Sequence, residues 1–147
     1  MIKEKSSSDT LSTVDNGCMS DRFVVKTVHR DHVVIDRTTG LMWQQTTSPQ
    51  RMGYSLAIQR INYLNKCGFA GFNDWRLPTL DEAMTLMERS PNKVGLFIDP
   101  VFDSKQRAWM WTSEREGADS VWYINFSYGY SKLNRIKSGN NYVRAVR

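Results

Sequence analysis

The hydrophobic period of this 147-residue chain changes twice, and the order of those changes limits the fold more than any other feature. Residues 22–28 and 32–36 are short, β-branched and bounded by polar residues, the pattern of a β-hairpin. Arg37-Thr38-Thr39-Gly40 reads as a turn, after which Leu41-Met42-Trp43-Gln44 resumes as a strand. From Tyr54 the spacing becomes helical. Tyr54, Ala57, Ile58, Ile61 and Leu64 repeat as one helix face, and Gly68 is placed to stop it. A second helix is announced by Thr79 as N-cap with Glu82 at the third helical position, by an apolar stripe of Leu80, Ala83, Met84 and Met87, and by Pro91 beyond its end. The last third returns to strands. In residues 121–126, Trp122, Ile124 and Phe126 share one face while Val121, Tyr123 and Asn125 share the other. A turn over residues 127–129, a polar stretch over residues 131–141 and a closing strand over residues 142–146 complete the reading. Strands, two helices, then strands again is an α+β order and not a repeated βαβ.

The first 21 residues are rich in Ser, Thr, Asp and Asn, and read as a flexible polar leader or linker before a single domain over residues 22–147. Twenty Lys and Arg against fifteen Asp and Glu give a net charge of +5, a lean toward anionic partners too small to single out nucleic acid, which is not expected. No run is long enough to span a bilayer, and Ser6, Ser7, Ser8 and Asp9 stand where a signal peptide needs an apolar core. Cys18 and Cys67 lie far apart, in no zinc-like spacing, and either one disulfide or two free thiols fits them.

Catalytic constellations are not apparent. His29 and His32 would point to opposite faces of a strand and have no third ligand at a suitable spacing. Asp81 and Glu82 are explained by the dipole of the helix they begin. There is no G-x-S-x-G elbow, P-loop or G-x-G-x-x-G, and no cofactor is expected. The segment Asn73-Asp74-Trp75-Arg76-Leu77-Pro78-Thr79 joins the helices: Trp75 and Leu77 alternate inward, and Arg76 is free to bond carbonyls or a carboxylate such as Asp74 or Asp81. Binding chemistry concentrates later. Tyr123, Asn125, Tyr128, Tyr130, Asn134, Asn140 and Tyr142 interleave with Lys132, Arg135, Lys137 and Arg144, and no acidic residue follows Tyr130. Rings that stack, amides that adapt and cations that hold anions suit a binding surface.

These segments also carry a resemblance. The run from Asp36 to Gln44, the run from Asn73 to Thr79, Trp111-Thr112-Ser113, the run from Val121 to Phe126 and the final Tyr142-Val143-Arg144-Ala145-Val146-Arg147 are similar, in this order, to the Lcl C-terminal domain family, a bacterial domain of unknown function. The resemblance implies a C-type-lectin-like fold, two helices packed on a small, mostly antiparallel twisted sheet, related to the sulfatase-modifying-factor domain. Trp43, Trp75, Arg76, Pro78, Thr79, Glu82, Trp111 and Trp122 are themselves expected to serve structure, and the resemblance places ligand-binding residues on the rim from Tyr123 to Tyr142. Relatives often sit on cell surfaces, and one binds sulfated glycosaminoglycans. Ala145 stands where relatives commonly have Cys, and the Glu-Pro-Asn triplet of calcium-dependent lectins is missing. The expectation is a non-catalytic module that binds a glycan, anionic in the sharper version, or a protein. The alternative is a regulatory or enzyme-accessory domain of a larger protein.

Overall fold

The computed structural model describes residues 21–102 and 107–147. The expected leader, and Cys18 with it, therefore lies outside the described residues except for Asp21. The first sheet has the order β1-β2-β3, antiparallel throughout, with β1 Phe23–Val28, β2 Asp31–Asp36 and β3 Met42–Gln44. His29 and Arg30 alone join β1 to β2, and both have positive φ, 51° and 71°. That turn geometry matches the right-handed twist of a tight hairpin, at a backbone cost that a Gly would avoid. Helix α1, Tyr54–Cys67, ends on Gly68 at φ 66°, whose N–H bonds back into the last turn. A single 3-10 turn, Phe69–Gly71, follows. The hairpin tip docks on this turn: Asp31 Oδ2 accepts from Ala70 N at 2.8 Å. A Cβ on Gly71 would lie 2.9 Å from His29 Cδ2, so only glycine permits that approach.

Helix α2, Leu80–Met84, is shorter than the stripe to Met87 suggests, and the chain turns away after it. The second sheet has the order β4-β5-β6, with β4 Trp109–Glu116, β5 Ser120–Asn125 and β6 Tyr130–Arg135. The α+β class thus takes the form of two small three-stranded antiparallel sheets, where one sheet was expected. Strand β6 lies within the polar stretch from which no strand was expected.

Residues 141–147 knit these parts together by bridges instead of forming a regular strand. Met42 and Arg147 exchange backbone hydrogen bonds at 2.7 and 2.8 Å, and Arg76 and Val146 do so at 3.0 and 2.9 Å. Tyr142 bonds to Trp109 and Trp111 of β4. The segment thereby touches the first sheet, the loop between the helices and the second sheet.

Two core clusters result, and adjacent residues divide between them. Val33, Trp111 and Ala145 enter one cluster beneath α1, whereas Val34, Met110 and Val146 enter the other beneath α2 and residues 86–102. Period-two alternation with both faces covered explains why these stretches read as continuous apolar runs. Two stripe positions differ from expectation. Ile58 is 40% exposed and Met84 39% exposed, because each lies at the edge of the buried arc centred on its neighbours. Among the described residues no helix is long and apolar enough to cross a membrane.

Candidate functional site

Antiparallel register decides which polar side chains of the second sheet can act together. Tyr123 lies opposite Trp111 and Lys132, Asn125 opposite Trp109 and Tyr130, and Val121 opposite Arg115 and Asn134. Side chains directly opposite share a face, so Trp109, Tyr123, Tyr130, Lys132 and Asn134 lie on one side of the sheet. The inner part of that face is core; the outer part, on edge strand β6, is accessible.

There the rings are ordered. Tyr128 and Tyr130 stack with planes 7° apart and centroids at 6.3 Å, and Lys132 Nζ lies 5.0 Å from the Tyr130 ring centroid. Asn125 Nδ2 donates to the Tyr130 hydroxyl at 3.1 Å. Burial, then a hydrogen bond with Tyr130, pushes the Tyr123 phenol above its ordinary pKa, so it stays protonated as part of the same network. Tyr128 is 74% exposed, a large ring left in water. The Arg51 guanidinium stands 5.3 Å from the ring of Trp109, which lies on β4 of the same sheet. Neither Arg51 nor Trp109 is among the expected site residues. Trp109 becomes visible as a neighbour of this row only once its pairing with Asn125 is known, and Arg51 carries no local signal.

Several candidates do not belong to this surface. Asn125 is buried: its Oδ1 accepts from Ser127 N at 2.8 Å and Tyr128 N at 3.2 Å, so its amide builds the β5–β6 turn. Arg144 is 1% exposed, donates through Nη1 to the carbonyls of Gln44 and Gln45, and packs over Phe102 at 4.9 Å. It holds the fold together and is not available to a ligand. Arg135 pairs with Ser120 and faces the other side, with Trp122 and Leu133. Asn134 is half-buried against Gly139, while Lys137 and Asn140 are exposed on the loop after β6.

Between the helices the segment around Trp75 is packed and paired. Trp75 Nε1 donates to Phe69 O at 2.8 Å, and the Asn65 side chain brackets the Trp75 backbone, accepting from its N at 2.7 Å and donating to its O at 2.9 Å. The Arg76 partner is Glu82, bidentate at 2.7 and 2.8 Å, and not Asp74 or Asp81; Asp74 pairs with Arg147 at 2.6 Å. Glu82 and Thr79 form a capping box, with Thr79 N donating to Glu82 at 2.9 Å and Glu82 N donating to Thr79 at 3.1 Å. Pro78 is buried and its carbonyl accepts from Ser113 N at 2.8 Å. Trp43 is fully buried in the core, and Trp111 Nε1 donates to Met52 O at 2.8 Å. Trp122 is half-buried, and its carbonyl accepts from Thr112 Oγ1 at 2.8 Å. A mostly aliphatic cleft of about 500 Å³ lies beside this segment, lined by Ile58, Ile61, Arg76, Leu77, Thr79 and Ser113.

Cys67 is exposed at the end of α1. Among the described residues no group of three His, Cys, Asp or Glu side chains is placed to hold a metal ion. No curated protein matches the chain. A family model, the Lcl C-terminal domain, matches residues 32–147, from the start of β2 onward.

Proposed function

We infer that this chain, which belongs to the Lcl C-terminal domain family, is a non-catalytic binding module whose ligand is an anionic glycan. The observation that carries the reading is the Tyr128–Tyr130 stack with Lys132 over its ring, on an open sheet edge. A flat pair of rings offers the apolar face of a sugar a platform, and the adjacent ammonium offers its sulfate or carboxylate a counter-charge. The charge pattern sharpens this. Five basic residues and no acidic ones run from Tyr130 to Arg147, but Arg144 is buried and Arg147 is paired with Asp74. Lys132, Arg135 and Lys137 are the cations of this segment left facing solvent, and of these Lys132 lies over the Tyr130 ring. We take the fold as C-type-lectin-like; what supports this is residues 142–147 returning beside β3, so that late and early segments of the domain are paired.

Retention on immobilised heparin across a sodium chloride series tests the reading. Binding should fall steeply with salt, and Tyr130→Ala or Lys132→Ala should weaken it roughly tenfold, the equivalent of about 1.4 kcal/mol. Retention no stronger than on uncharged agarose, or unchanged in both variants, would refute it.

A further inference from the structure

Helix α1 presents a second surface with different chemistry. It contains no acidic residue; its charges are Arg60 and Lys66. Leu56, Arg60 and Tyr63 follow the i, i+4, i+7 spacing of one helix side. Leu56 is 55% exposed and Tyr63 61% exposed, large side chains with no cover among the described residues. Arg60, between them, is half-buried, and its Nε is shielded from solvent without a hydrogen-bond partner. Burial disfavours its charged form. An Nε shielded from water and left without an acceptor costs stability, and a Met or Leu would fill the same space without that cost.

We propose that Leu56, Arg60 and Tyr63 form a docking surface for an acidic segment of a partner protein. A carboxylate of that segment pairs with the half-buried Arg60 side chain, and an aliphatic side chain packs between Leu56 and Tyr63. The chemistry favours a peptide over a sugar, because Leu56 cannot satisfy hydroxyl groups. It disfavours a second copy placed face to face, because α1 has no carboxylate to offer and would oppose Arg60 and Lys66 with their equivalents.

Fluorescence anisotropy with the full chain and a labelled 12-residue peptide alternating Glu and Leu provides the test. The parent should bind saturably, and a Lys-for-Glu version of the peptide should not bind. Arg60→Met should fold at least as stably as the parent yet lose affinity by fivefold or more, and Leu56→Ser should weaken binding similarly. Lys132→Ala should leave it unchanged, which separates this surface from the glycan site. Equal peptide binding by Arg60→Met, loss in Lys132→Ala, absence of binding, or binding to phosphatidylglycerol vesicles in place of the peptide would each overturn the proposal.

Discussion

At the scale of single residues, Asp36 shows how one buried carboxylate joins the turn before β3 to the start of β1. It is fully buried, accepts from Arg22 Nη2 at 2.7 Å and Nε at 2.9 Å, and also accepts from Thr38 N at 2.9 Å. Burial alone would raise its pKa; the hydrogen bonds from Arg22, Thr39 and Thr38 outweigh that and hold it below 3.8. A carboxylate depressed in the folded state contributes its full stability above its unfolded value, and loses it as pH falls through the folded one. Asp36→Asn should therefore cost about 3 kcal/mol at neutral pH, the low end for breaking a buried pair because Arg22 is partly exposed. The gap between variant and parent should close as pH falls below 3.8 toward the depressed native value. Urea denaturation at pH 7, 5 and 3 measures it; a gap independent of pH would show that the charge is not what Asp36 contributes. Arg144 makes the same point from the cationic side, since carbonyl acceptors and the Phe102 ring draw it inward despite its charge.

At the scale of elements, short pieces hold their shape through side chains that serve the backbone. Helix α2 has only five residues, too few to persist by propensity, and its start rests on the Thr79–Glu82 box. Thr79→Ala should cost about 1 kcal/mol. Glu82→Gln should cost less, about 0.5 kcal/mol, because a glutamine still accepts from Thr79 N and loses only the partly exposed ion pair with Arg76. Thermal unfolding of the two variants should rank them in that order. The β5–β6 turn depends on Asn125 in the same way. Asn125→Ala removes the acceptor for Ser127 and Tyr128 and the donor to the Tyr130 hydroxyl, and should cost about 1–3 kcal/mol. It should also weaken heparin retention without touching the ligand, because the Tyr128–Tyr130 stack loses its support. Retention unchanged in a folded Asn125→Ala variant would mean that the stack is not the binding element.

At the scale of the whole molecule, legibility in the sequence follows how local each determinant is. The first hairpin and both helices show in the sequence because their turn, cap and period signals sit within a few residues of one another. Strand β6 did not, because Ser131, Lys132, Asn134 and Arg135 make both its faces polar, as an edge strand permits, and no alternation survives. Asn125 and Arg144 looked like surface residues because the groups that bury them come from a turn and from residues 44, 45 and 102. The division of the core into two clusters was equally hidden, since Val33 and Val34 read as one run until both faces of the sheet are seen to be covered. The segment that unites these parts is residues 142–147. Val143 and Ala145 enter one cluster and Val146 the other, all with 0% exposure. Removing that segment forfeits roughly 1.5–3 kcal/mol for each buried valine. It also leaves the backbone groups of Met42, Arg76 and Trp111 that it paired without partners, at about 1–3 kcal/mol each where they stay buried. The sum reaches the whole stability of an ordinary domain, about 5–15 kcal/mol. A chain ending at Asn141 should therefore lack dispersed amide resonances and a cooperative urea transition. If it shows both, the two sheets hold together without this segment, and its role as the link between the cores is wrong.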